Sequence, residues 1–240
     1  MTPIAAWLSL WDTDVFRELV SRSPESLIVH GDPGSLSLGQ RQNILDEFVR
    51  RYSDGGWRGF RLPSDQLRRI ASPELGSLIK RSWGSRPENR EVRELLLDLI
   101  AMGPVPSGIG FASKTAVDCD EELNLRIDAI RTLAACGATP QLRRISLQML
   151  AKPAHWPPKL IAAVLPDLFP LVIDEDALIT LLERQESRSS DGYEWTLRSI
   201  VADDAKVWDR AVFRRKLTRI VKEGASPGAS WHEVQSRYRD

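Results

Sequence analysis

The sequence predicts an all-α protein built as an antiparallel array of helices. Apolar residues recur with helical spacing along most of the 240 residues. Capping residues or prolines mark several helix starts. No segment shows a sustained alternation of apolar and polar residues with the β-branched enrichment that strands favour. Short capped connections between such helices are typical of helical arrays.

Ser37 begins the clearest helix. Its hydroxyl can cap the helix, and Gln40 stands three residues later, which completes a capping box. Gly55 and Gly56 follow the helix and end it. Its apolar stripe consists of Ile44, Leu45, Phe48, Val49 and Tyr52.

Proline marks further helix starts. A helix tolerates proline at its first position, where the missing N–H would have no partner. The segments concerned are Ser23-Pro24-Glu25, Ser72-Pro73-Glu74, Thr139-Pro140-Gln141 and, less ideally, Arg86-Pro87-Glu88, whose helix closes at Gly103.

Another long helix is predicted from about Asp120 to Cys136, with Gly137 as the C′ residue that turns the chain. Later helices are predicted over 157–169, 174–186, 193–202 and 204–223. We expect one helical-repeat domain over 1–224, with a subdivision near 104–110 as an alternative, and a weakly ordered tail over 225–240.

The composition favours some classes of protein over others. The 33 Lys and Arg balance the 33 Asp and Glu, which argues against a dedicated nucleic-acid binder. Cys119 and Cys136 are too few for a disulfide framework and are expected to be buried free thiols in a reducing cytoplasm. The stretch from Met1 to Trp11 lacks signal-peptide features, and no apolar run approaches membrane-spanning length. We therefore expect a cytoplasmic protein without a membrane partner.

The segment from Arg126 to Gly137 resembles the second helix of a HEAT repeat. A small alanine, Ala129, permits close helix approach, aliphatic residues face the core, and a glycine turns the chain. The stretch 86–152 resembles a repeat pair. This resemblance implies a HEAT/armadillo-like α-solenoid.

A longer order of motifs carries a second resemblance. It comprises Ala6-Trp7-Leu8 followed by Phe16-Arg17-Glu18-Leu19, His30-Gly31-Asp32-Pro33 leading to Leu36-Ser37, the stretch Arg69 to Leu75, Leu178-Ile179 to Leu182, and Tyr193-Glu194-Trp195. This order resembles the helical scaffold region of very large bacterial NACHT/STAND-type NTPases, which are often linked to antiphage defence. The resemblance implies a scaffold or sensing module and transfers no catalytic residue.

A near-match to a P-loop runs from Gly108 to Thr115 and includes Lys114, and 171–175 resembles a Walker B strand ending at Asp174. Ser113 stands where the P-loop requires glycine, whose backbone freedom a serine lacks. Prolines also precede the motif where a buried strand would be needed. Asp174 fits better as the N-cap of the next helix. A degenerate nucleotide binder is therefore the third-ranked hypothesis.

Catalytic, metal and cofactor sites are not predicted. His30, His155 and His232 lie far apart and outside any metal-ligand spacing. Neither cysteine has a neighbouring base that would activate it. The sequence therefore predicts that the protein is not an enzyme and binds no cofactor.

The eight tryptophans and one basic helix offer candidate contacts. Core packing explains most of the tryptophans, including the i, i+4 pair Trp7 and Trp11. The candidate partner-binding residues lie near predicted helix ends or loops and are Trp57, Trp83, Trp156 and Trp231. Candidate phosphate or nucleic-acid contacts share one face of the helix 204–223 and are Arg215, Arg219 and Lys222. A solvated helix face explains the same cations.

The leading hypothesis is a non-catalytic protein-interaction scaffold or sensor module in a bacterial defence-type system, with a protein partner. The alternative is a helical-repeat protein that binds nucleic acid through the basic helix face.

Overall fold

A computed structural model describes residues 2–56, 59, 62–174, 176–178 and 180–181. Within these residues the chain is helical and contains no β-strand, which confirms the all-α class. The helices with defined bounds are α1 (Thr2–Leu8), α2 (Thr13–Arg22), α3 (Pro24–Val29), α4 (Leu38–Tyr52), α5 (Ser64–Ile70), α6 (Gly76–Gly84), α7 (Arg90–Met102), α8 (Ile109–Val117), α9 (Leu123–Ala135), α10 (Thr139–Ala151) and α11 (Pro158–Leu168).

The chain divides into two compact units, Met1–Ala138 and Thr139–Asp240. The first unit contains α1 to α9, and the stretch 104–110 lies inside it. The expectation of one domain over 1–224 stays a prediction, since 182–224 lie outside the described residues.

Packing in the first unit follows a regular order. Several helices that are consecutive in the chain pack together, as in the pairs α1–α2, α3–α4, α6–α7 and α8–α9. Helices two apart also pack together, in the rows α1–α3–α5–α7–α9 and α2–α4–α6. Each helix can therefore bury residues against both a chain neighbour and a row neighbour.

Helix α7 provides much of the core of the first unit. It packs against α5, α6 and α9, so it is buried on several sides. Two polar contacts also tie α7 to α9 and to its C-cap residue: the Thr132 hydroxyl donates to the Leu97 carbonyl at 3.3 Å, and the thiol of the C-cap Cys136 lies 3.4 Å from the Ile100 carbonyl. Its buried apolar residues are Val92, Leu95, Leu96, Leu97, Leu99 and Ile100.

The predicted end of α9 is confirmed in detail. Gly137 has a φ of 64°, in the left-handed region that favours glycine. Its N–H donates to the Ala134 carbonyl at 3.0 Å, and the Ala138 N–H donates to the Leu133 carbonyl at 2.9 Å. These two bonds form a Schellman motif, which satisfies helix-end carbonyls that would otherwise lack partners.

The predicted helix starts agree with the structure in part. The capping box is confirmed: the Gln40 backbone N–H donates to the Ser37 hydroxyl at 3.3 Å, and the Gln40 side-chain Oε1 accepts from the Ser37 N–H at 2.9 Å. Pro24 starts α3, but the Ser23 hydroxyl donates to the Glu25 carboxylate rather than capping the helix. Pro73 opens a single 3₁₀ turn, Pro73–Leu75, that leads into α6.

Two helices begin later than predicted. Helix α9 begins at Leu123 instead of Asp120. Helix α7 begins at Arg90 instead of near Pro87, because Asn89 is its N-cap and accepts from the Glu91 N–H at 2.8 Å. The residues before Arg90 are held elsewhere: the Glu88 and Asn89 N–H groups point to the Ser53 carbonyl at the end of α4.

Two glycines give a matched test of this packing. A Cβ on Gly103 would lie 2.8 Å from the Ser72 amide nitrogen and 3.1 Å from the Leu99 carbonyl oxygen, both rigid backbone atoms. We expect Gly103→Ala to destabilise the protein by about 1–3 kcal/mol through overpacking. A Cβ on Gly110, near the start of α8, would meet nothing within 4 Å, so Gly110→Ala should stabilise by up to about 1 kcal/mol. Chemical denaturation measures the free energy of unfolding of both variants. Equal changes in the two variants would contradict the close backbone contact at Gly103.

Candidate interaction surface

Helix α1 ends at Leu8, and residues 9–11 follow it as hydrogen-bonded turns. The Ser9 N–H donates to the Ala5 carbonyl at 3.0 Å, and the Trp11 and Asp12 N–H groups donate to the Leu8 carbonyl at 3.0 and 2.9 Å. Because these turns continue directly from α1, residues 4, 7, 8 and 11 lie on one side of the stretch 4–11, as residues three and four apart do on a helix.

The inner side of α1 packs against α2 and α3. Ala6 is fully buried there, and the Ser9 hydroxyl is also buried and donates to the Ala6 carbonyl at 2.7 Å. At Gly31, after α3, the backbone passes so closely that a Cβ would lie 3.4 Å from the Ala6 carbonyl oxygen and 2.7 Å from that of Leu27. Small residues thus let α1 lie against α3, and the large residues of α1 point the other way.

The outer side of α1 is apolar and exposed. Ile4 is 69% exposed, Trp7 and Leu8 are each 49% exposed, and Trp11 is 76% exposed. We call these four side chains the α1 face. Counting aromatic side chains at up to ~250 Å² and aliphatic ones at ~100 Å², the α1 face exposes roughly 400–500 Å² of apolar surface. The largest apolar patch on a typical monomer has about this size, ~300–600 Å², and is often functional.

The charged groups next to the α1 face are engaged locally. The Asp12 carboxylate caps α2 by accepting from the Asp14 and Val15 N–H groups at 2.8 and 3.1 Å. Arg17 pairs with Asp14 at 2.6 Å. Helix α1 itself carries no acidic residue in its first turn and no basic residue in its last. The α1 face is therefore an uncharged strip bordered by acidic residues at its Trp11 end.

Trp83 takes part in an aromatic stack inside the first unit. Its ring stacks on that of Phe111, with the centroids 6.0 Å apart and the planes 20° from parallel. The Arg93 guanidinium lies 5.5 Å from the Trp83 ring centroid and also pairs with the Glu121 carboxylate. The half-buried Trp83 therefore links α6, α7 and α8, and a role with a partner stays a prediction.

The other predicted contact residues fall in two groups. Trp156 is 3% exposed, so its side chain lies in the interior and not on a surface that a partner could reach. The remaining residues lie outside the described part of the chain, and their roles stay predictions. They are Trp57, Trp231, Arg215, Arg219 and Lys222.

The P-loop-like segment is helical. Residues 106–108 form a 3₁₀ turn and α8 runs from Ile109 through Lys114, so the backbone does not form the phosphate-cradling loop that follows a strand. Ser113 is buried. Asp174 acts as the predicted N-cap, because its carboxylate accepts from the Ala177 N–H at 2.8 Å.

Among the described residues, no three His, Cys, Asp or Glu side chains are placed to hold a metal ion. His30 and His155 are exposed, and His232 lies outside the described residues. Both cysteines are free, as expected, but the expectation that both are buried is wrong for Cys119, which is exposed in the loop between α8 and α9. Cys136 is half-buried, and burial raises the pKa of its thiol.

A shallow groove of about 400 Å³ lies between α2 and α4, over Phe16 and Val20. The charged residues along it are paired: Arg50 with Glu47, and Asp46 with Arg81 on α6 at 3.0 Å. These ion pairs neutralise one another along the groove, and the hydrogen bond from Arg50 lowers the pKa of Glu47.

Carboxylates of α7 and α9 form an acidic cluster of Glu94, Asp98 and Asp128. Asp98 keeps part of its side chain in water, yet the protein atoms crowded around its carboxylate raise its pKa to about 6, with the charges of Asp128 and Glu94 adding to the effect. Burial and the Glu94 charge also raise the pKa of Asp128, while Arg131 and Arg90 oppose this. The cluster therefore weakens the folded state when it is fully ionised.

Sequence patterns alone do not predict the α1 face as a binding surface. The spacing of Ile4, Trp7, Leu8 and Trp11 is visible in the sequence, but core packing is the expectation for the two tryptophans. That expectation is wrong, because both are exposed. An additional signal lies in Ala5, Ala6 and Ser9, whose small size marks the side of α1 that packs closely.

No protein-family description, no curated protein and no solved structure matches this chain significantly. In the part of the chain that the structure describes, no helix combines the length and the apolar character needed to cross a bilayer.

The acidic cluster predicts how stability depends on pH. Asp98 has a higher pKa in the folded protein than the ordinary aspartate value of 3.8, so folding favours its protonated form and stability falls as pH rises from about 4 to about 6. We expect Asp98→Asn to be more stable than the parent at pH 7.5, by about 1 kcal/mol after allowing for solvent screening, and nearly equal to it at pH 4. Urea titrations at both pH values measure this, with Asp120→Asn in an exposed loop as the control. A gain that is the same at both pH values would contradict the assignment.

Proposed function

We propose that this chain is a non-catalytic protein-interaction scaffold that binds its partners through the α1 face. The single observation that carries the proposal is the exposure of four large apolar side chains on one side of α1. Removing such a surface from water on binding stabilises a complex, and tryptophan is enriched among the residues that dominate interface energies.

The packing order of the first unit supports an α-solenoid of HEAT-like helical pairs. Contacts between consecutive helices and between helices two apart are what a stack of antiparallel pairs requires. Such a stack leaves broad outer surfaces for partners. The α1 face is an outer surface of this kind.

The resemblance to the scaffold region of bacterial NACHT/STAND-type NTPases supports a sensing or scaffolding part in a defence-type system. In that context the chain needs no catalytic residues of its own. Two free thiols support the cytoplasmic location that the sequence predicts, since reducing compartments keep cysteines unpaired. Binding of nucleic acid through Arg215, Arg219 and Lys222 remains the alternative.

A comparison of two matched double variants tests the proposal. In Trp7→Ala/Trp11→Ala the two largest side chains of the α1 face are truncated, and in Leu147→Ala/Leu171→Ala two exposed apolar side chains of the second unit are truncated instead. We expect protein partners cross-linked in the producing cell to be recovered with the parent chain and with the leucine control, and to decrease at least ten-fold with the tryptophan variant.

Trp7 and Leu171 are each about half covered, so both variants should lose free energy of unfolding in urea, by up to about 3 kcal/mol, while they keep the parent's circular dichroism. Recovery of the same partners with all three chains would exclude the α1 face. Repeated recovery of no specific protein with the parent chain would count against the scaffold function itself.

A further inference from the structure

We infer that the α1 face binds a second copy of this chain, with the two α1 helices antiparallel across a two-fold axis. The inference rests on the proposed function, because it assigns a partner to the same surface. It is argued from the register of the four apolar residues, from the charges that flank them and from the area they expose.

The register of the α1 face is self-complementary. An antiparallel two-fold axis that passes between positions 7 and 8 places residue i opposite residue 15 − i of the other copy. Ile4 then lies opposite Trp11, and Trp7 lies opposite Leu8, so each contact joins one tryptophan to one aliphatic side chain. A two-fold interface requires such a match, because the same patch must serve both copies.

Charge favours the antiparallel register over the parallel one. The α1 face is uncharged, and the nearest exposed carboxylate, Asp12, would lie opposite Pro3 of the other copy in the antiparallel register. In a parallel pair Asp12 would face its own equivalent, and like charges directly opposite one another are destabilising. A pair of tryptophans would also have to stack on each other at position 11.

The packing order gives the second copy a defined place. Helix α1 packs on α2 and α3 with its inner side, where Ala6 is buried, and its outer side is exposed. An α1 helix from another copy would lie on that exposed side, opposite the side that α2 and α3 cover.

The exposed area sets the strength of the pair. The α1 face offers roughly 400–500 Å² per copy, whereas a standard stable interface buries about 800 Å² per partner. The dimer should therefore be weak and reversible, with a dissociation constant on the order of 1–100 µM. A lipid surface is a poorer match, because α1 carries no cations and acidic residues border its end, whereas interfacial helices combine an apolar side with lysines or arginines.

Sedimentation velocity of the full chain from about 1 to 300 µM tests the inference. We expect the parent chain and the Leu147→Ala/Leu171→Ala control to shift from monomer to dimer across this range. Trp7→Ala/Trp11→Ala should weaken the association at least ten-fold. A parent chain that stays monomeric at 300 µM, or a tryptophan variant that dimerises like the parent, would overturn the inference.

A charge exchange tests the register itself. Ile4→Lys and Trp11→Glu each place a charge against an apolar side chain of the other copy and should each abolish the dimer. The combination Ile4→Lys/Trp11→Glu places Lys opposite Glu twice and should recover association at least five-fold relative to either single variant. Recovery fails in a parallel pair, where like charges meet, so a failure of recovery while the parent dimerises would overturn the antiparallel register.

The outcomes separate this inference from the proposed function. A monomeric parent chain whose cellular partners still depend on Trp7 and Trp11 would reject the second copy and retain the scaffold. A different result would be a parent chain that floats with neutral phosphatidylcholine vesicles, forms no dimer, and loses this flotation in the tryptophan variant. That result would reject the second copy and identify a lipid surface as the occupant of the α1 face.

Discussion

Burial of α7 is the constraint on which the rest of the first unit depends. This helix packs against α5, α6 and α9, and its apolar residues are not confined to one narrow stripe. A helix that is apolar on several sides can be stable in water only when several neighbours cover it. The positions of α6 and α9 follow from that requirement, and the Thr132 and Cys136 contacts to α7 carbonyls fix how α9 lies against it.

Helix α1 belongs to the same row of helices as α7 but is covered differently. Both carry large apolar side chains, but α7 has neighbours on its several sides, whereas α1 is covered on one side by α2 and α3. The alanines and the serine of α1 accept close contact, and the tryptophans are left in water. Exposure of the α1 face thus follows from which described neighbours cover α1 and not from a different kind of helix.

Features that depend on local chemistry are predictable from the sequence. The Ser37–Gln40 capping box, the Gly137 turn and the Asp174 cap each involve residues within a few positions of one another, so spacing alone specifies them. The predicted start of α7 is wrong because long-range bonds to the Ser53 carbonyl hold the residues around Pro87 outside the helix. A tertiary contact of that kind leaves no local signal.

Exposure is the least predictable property of the candidate site. Helical spacing identifies which residues share a face, but the same spacing describes a face that is covered and a face that is open. The expectation of core packing fails for Trp7 and Trp11 for this reason, and the expected burial of Cys119 fails because it lies in an exposed loop. Trp156 shows the opposite difference. Its place between two helices suggests a side chain within reach of a partner, but the side chain points inward and is buried.

The linkage of α6, α7 and α8 through Trp83 has a consequence for sequence variation. Phe111, Trp83 and Arg93 lie on three different helices, and Arg93 in turn holds Glu121 in the following connection. Substitutions at these four positions therefore share partners, and the effect of one depends on which residue occupies the others. In related sequences we therefore expect these four positions to be either conserved together or substituted together. Covariation among them would connect the three helices.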